Sequence, residues 1–92
     1  MALTATVPTV HGSRYLQQLC KHWSHKFETA FDAQQGRIGF PMGPIHLAAS
    51  ADALAVTIEP APDEDVERFK QVVAEHLDRS AFREAPLPFD WK

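Results

Sequence analysis

Between residues 35 and 60 the chain alternates apolar and other residues in three bursts: Ile38 and Phe40, then Ile45 and Leu47, then Leu54, Val56 and Ile58. Gln35-Gly36, Met42-Gly43-Pro44 and Ser50-Ala51-Asp52 break the pattern. A period of two lays one residue set on one face of a sheet, and breaks this short leave no room for the crossovers that parallel strands need. The segment is therefore an antiparallel meander, with the stretch around Thr29 to Ala33 supplying its first strand. "GRIGFPMGP" reads as a hairpin turn with its flanking strand residues, because its glycines match no phosphate-binding loop. His46 alternates away from Ile45 and Leu47, onto the outer face of the sheet.

Leu3, Ala5 and Val7 alternate with Thr4 and Thr6 until Pro8, the pattern of an edge strand. His11-Gly12-Ser13 then offers a turn and a hydroxyl cap. Leu16, Leu19, Cys20, Trp23 and Phe27 follow at helical spacing, which predicts a helix from about Arg14 to Lys26. A second helix is predicted within "PAPDEDVERFKQVVAEHLDRS", where Asp63, Glu64 and Asp65 suit a helix N-terminus and Val66, Phe69, Val73 and Leu77 form an apolar stripe. The tail, with Leu87, Phe89 and Trp91 set between Pro86 and Pro88, alternates again and can add an outer strand. The expectation is an α+β fold: an antiparallel sheet of about four to six strands with two helices packed on one face. At 92 residues and 45% hydrophobic content, residues 1–92 make a single domain with one core.

A formal net charge of −3 argues against general nucleic-acid binding, which needs a surplus of Lys and Arg on one face. No stretch approaches the roughly 18 apolar residues of a membrane span. "MALTATVPTV" has neither the charged start nor the apolar run of a signal peptide or anchor. A single cysteine, Cys20, excludes an internal disulfide and fits the cytoplasm.

"LCKHWSHKF", residues 19 to 27, is the densest collection of metal-binding side-chain types. Successive residues of a helix turn by about 100°, so Cys20 and His22 point nearly opposite ways. Cys20 falls on the Leu16, Leu19 and Trp23 stripe, as a small buried hydrophobe rather than a reacting or ligating thiol. His22 and His25 share a face, and His76 on the second helix is the candidate third ligand, which makes His22, His25 and His76 the expected metal set with iron or zinc as the ion. The alternative for His76 is a packed, hydrogen-bonded core histidine.

The same region carries Arg14, Lys21 and Lys26 with no acid between His11 and Phe27, whereas acids outnumber bases from Asp63 to Glu84. Two helices side by side would compensate one another. Otherwise Arg14, Gln18, Lys21, Lys26 and Arg79 form a surface for an anionic small ligand or an acidic protein partner. No catalytic constellation is complete: Ser13, Ser24, Ser50 and Ser80 lack any nucleophile-elbow context. An enzyme would need Arg14, His22, His76 and Arg79 to converge in a concave pocket.

"RYLQQLCKHWSHKF", "GRIGF" and "HLDRSAFRE" with a closing tryptophan resemble the bacterial domain-of-unknown-function 2218 family over nearly the whole length. Arg14, Tyr15, Leu16, Gln18, Leu19, Cys20, Lys21, His22, Trp23, His25 and Lys26 carry the first block, and His76, Leu77, Arg79, Phe82, Arg83 and Glu84 the second. Ser80 stands where the family pattern usually has an aromatic residue. The resemblance implies no activity. Similar domains occur joined to flavin-dependent siderophore-interacting proteins, so it implies an accessory metal- or siderophore-binding module in iron handling. The alternative is an interaction module that uses the basic, histidine-bearing helix.

Overall fold

The alternating segments pair as antiparallel neighbours in the computed structural model, which describes residues 2–81, 83–84 and 87–91. Phe82 and Pro86 lie outside the described residues. The strands are β1 (Leu3–Pro8), β2 (Thr29–Phe31), β3 (Gln35–Ile38), β4 (Ile45–Ala49), β5 (Ala53–Ile58) and β6 (Asp90–Trp91), and the helices α1 (Gly12–Trp23) and α2 (Val66–Ser80). The order β2-β3-β4-β5-β1-β6 makes an α+β fold, with the meander as one run and β1 added beside its last strand. β1 is therefore not the edge strand its pattern suggested, because the two-residue β6 pairs with its outer side.

Register explains the core. Ile45 pairs with Ile58 and Leu47 with Val56, while β1 sets Ala5 against Val56 and Val7 against Leu54 on the other side of β5. All of these side chains are buried, and the alternate residues on the same strands form the outer face. His46 lies there, as expected, with its Nε2 2.9 Å from Glu59.

α1 buries Tyr15, Leu16, Leu19, Cys20 and Trp23. It begins two residues earlier than expected, and Ser13 does not cap it: the Ser13 hydroxyl donates to the Ala33 carbonyl instead. It also ends earlier, at Trp23, where the Lys26 and Phe27 amides both donate to the Trp23 carbonyl in a turn. Phe27 still reaches the core through that turn, so the apolar spacing continued past the end of the helix. α2 is capped by Asp65, whose carboxylate accepts from the Arg68 amide at 3.1 Å, and buries Phe69, Val73 and Leu77.

Two glycines are required by what surrounds them. Gly36 faces α1, and a Cβ there would stand 2.8 Å from the Cys20 sulfur. Burial pushes the Cys20 thiol up to about 11. Gly43 has φ +142°, and its Cβ would stand 2.1 Å from the Glu59 carbonyl oxygen.

Candidate functional site

Spacing of four along α1 stacks Arg14, Gln18 and His22 on one exposed stripe, while His76, Arg79 and Ser80 make the matching stripe on α2. The helices run antiparallel here, so His22 near the end of α1 meets His76, and Arg14 near its start meets the end of α2. The His22 and His76 rings are 6.0 Å apart between centroids. Leu19, His22, His76, Arg79 and Ser80 line a pocket of 150 Å³. Beyond Ser80 the seam widens into a groove of 360 Å³ walled by Arg14, Gln18 and Arg83 and closed below by Tyr15 and Ala81.

His76 is held from two sides. Its Nδ1 lies 2.8 Å from the Val72 carbonyl, to which it donates, and its ring packs on Trp23 with centroids 4.8 Å apart. Trp23 in turn packs on Phe40 at 4.8 Å, and Phe40 on Phe69 at 5.6 Å. A continuous run of aromatic rings thus leads from the centre of the core to the half-buried His76 and, beside it, the exposed His22.

The expected residues are only partly gathered. Arg14, Gln18, His22, His76 and Arg79 share the seam. His25 and Lys26 lie past the end of α1, in the turn that follows it, and line neither cavity. Lys21 is exposed on α1 and lines neither cavity. Among the described residues no group of three His, Cys, Asp or Glu side chains is placed to hold a metal ion. Among the described residues no ion pair joins the two helices there. Tyr15 and Ser80 complete the seam without having been picked out as ligand-facing residues. Their positions follow from the same helical spacing once the two stripes are known to face one another.

A clasp closes the far end of the groove. The Tyr15 hydroxyl donates to the Glu84 carboxylate, and the Thr9 hydroxyl donates to both Glu84 oxygens at 3.0 and 3.1 Å. The Tyr15 hydrogen bond is the main reason the Glu84 carboxyl is held below the usual glutamate range, opposed by partial desolvation and helped by Thr9 and the charge of His11. Tyr15 itself is raised, first by burial and then by Glu84. A depressed carboxyl adds stability above its unfolded pKa and loses it as pH falls through the folded value. Tyr15→Phe is therefore expected to be less stable than the parent at pH 6, with the difference shrinking as pH falls below about 4, the ordinary carboxyl range. Urea unfolding of both proteins at pH 6 and pH 3 checks this, and an unchanged gap would refute the coupling.

A larger concavity, of 600 Å³, lies elsewhere, on the outer face of the sheet over Ala48, Ala55 and Thr57. Its polar groups are mostly engaged: Asp32 accepts from the Gln34 and Gln35 amides, His46 meets Glu59, and Thr57 bonds Thr4 at 3.0 Å. The seam is smaller, but it brings together two guanidinium groups without an ion pair among the described residues, Arg14 and Arg79, where the sheet face has one, Arg37, so it has more unspent recognition chemistry.

Known proteins agree with this outline without adding a reaction. Residues 4–92 match the profile of the family described as "Uncharacterized protein conserved in bacteria (DUF2218)". The fold is similar to the NMR structure of PA4090 from Pseudomonas aeruginosa, with 36% identity and a TM-score of 0.78 over 99% of this chain and 94% of that one. A comparison with curated proteins finds no match.

Proposed function

Because the chain belongs to this family of uncharacterised proteins conserved in bacteria, we propose its function from its own residues: an accessory ligand-binding module whose α1–α2 seam takes an anionic small ligand or a metal carried by one. The observation that supports it is the convergence of Arg14, Gln18, His22, His76 and Arg79 along one seam with two adjoining cavities. Two cationic guanidinium groups with no ion-pair partner among the described residues suit carboxylate, hydroxamate or phenolate oxygens, and imidazole adds a nitrogen donor. Placement in iron handling, with a ferric siderophore as the ligand, rests on the family resemblance alone. We place the module in the cytoplasm on its single buried cysteine; no helix among the described residues is long and apolar enough to cross a membrane.

The test is a titration of ¹⁵N-labelled protein with a gallium(III) hydroxamate chelate, the diamagnetic counterpart of a ferric one. Saturable shifts centred on Gln18, His22, His76 and Arg79 are expected. Shifts that are absent, or that spread evenly over the surface, would overturn the reading.

A second reading has its own support. Arg14, Lys21 and Lys26 are exposed and make no ion pair among the described residues, leaving a positive strip suited to an acidic protein. Lys21→Glu separates the two, because Lys21 stands outside both cavities: it would strongly weaken capture of an acidic partner, where the new charge meets like charge, and leave chelate binding within about fivefold, a remote exposed charge being worth under ~1 kcal/mol.

A further inference from the structure

We propose that His22 and His76 form a two-imidazole seat for a divalent first-row metal ion, left open so that an oxygen of an anionic ligand beside Arg79 completes the coordination shell. This rests on the seam being the binding site and names what it recognises: a metal ion and its chelator together rather than either alone.

Three observations carry it. Metal–nitrogen bonds of about 2 Å put two imidazoles that share one ion roughly 5–6 Å apart between centroids, and the observed separation is 6.0 Å. Donation from His76 Nδ1 to the Val72 carbonyl fixes the tautomer, so Nε2 carries the free lone pair. A backbone carbonyl behind the ring is the usual support of a metal-binding histidine, and Trp23 holds the ring's tilt from the other side. The third observation is the Arg79 guanidinium in the wall of the same pocket, beside a pair that no third His, Cys, Asp or Glu among the described residues joins. Two nitrogens leave an ion such as Zn²⁺ or Co²⁺ with positions to fill. The wall nearest the pair is Arg79 with Ser80, and a guanidinium there favours an anionic oxygen donor over water.

Each residue has a separate role, which makes the proposal separable. His22 and His76 touch the ion, Arg79 touches the chelator, and Val72 with Trp23 only orients His76. The experiment titrates Co²⁺ into the full chain, at equal free Co²⁺, with and without acetohydroxamate, reading visible absorption and the histidine NMR signals. Acetohydroxamate is expected to tighten Co²⁺ binding roughly 10-fold. His22→Gln and His76→Gln should each lose about 100-fold in Co²⁺ affinity. Arg79→Gln should keep Co²⁺ binding and lose the gain from acetohydroxamate. His22 is exposed and His76 half-buried, and urea unfolding of each variant verifies that the fold is kept. Unchanged Co²⁺ affinity in either histidine variant, or no gain from acetohydroxamate, overturns the proposal. If the gallium chelate still binds the seam of those variants, the ligand-binding reading survives without the metal seat. If neither probe binds the seam, both readings fall.

Discussion

Phe69→Ala is expected to lower folding stability by about 3–5 kcal/mol, the range for truncating a fully buried aromatic side chain. Phe69 is 0% exposed, and it is the ring against which Phe40 stacks. Domains of this size have only about 5–15 kcal/mol in total, so the variant keeps a small margin. The fall should show as a lower urea midpoint at unchanged slope. A second effect follows from the run of rings: with Phe40 unsupported, Trp23 and His76 lose their fixed placement. Amide and imidazole signals at the seam should broaden in Phe69→Ala even where the protein is still folded. A loss below about 1 kcal/mol would mean that the core collapses around the gap, and sharp seam signals would mean that the rings do not transmit order.

Gly43→Ala is expected to cost about 3 kcal/mol or more, through a different route. No cavity forms. A side chain must instead adopt φ +142° and enter the space of the Glu59 carbonyl, 2.1 Å from where its Cβ would stand. Glu59 and Ala61 hold this crossing through amides that donate to Pro44 and Met42, so the backbone cannot step aside without breaking one of them. For a domain of this length the loss corresponds to a melting point lower by roughly 15 °C. A thermal scan decides it, and a drop of less than about 4 °C would mean that the 39–44 connection rearranges freely.

The parts of this structure written locally were legible in the sequence. The meander announced itself because each strand pairs with its successor through a short break, and α2 because Phe69, Val73 and Leu77 recur on one face behind an aspartate cap. β1 was misplaced because its partners are remote: Leu3 pairs with Ile58, and nothing near residue 3 says so. The end of α1 was overrun because no glycine or proline marks it, and Phe27 continues the apolar spacing although it belongs to the turn. For the site, each helix showed its stripe, but the antiparallel approach of the two that brings His22 to His76 and leaves His25 aside is a product of packing. The Tyr15–Glu84 clasp, 69 residues apart, had no sequence signal at all.

Cys20 lies sealed between α1 and the bare backbone of Gly36, with its thiol kept protonated by burial. Only a thiolate reaches an alkylating reagent or an oxidant, and only when exposed. The folded chain is thus chemically silent toward both, and each modification event dates a moment when α1 has lifted off the sheet. A single native side chain serves as a timekeeper for the opening of the core, with no label to perturb what it records.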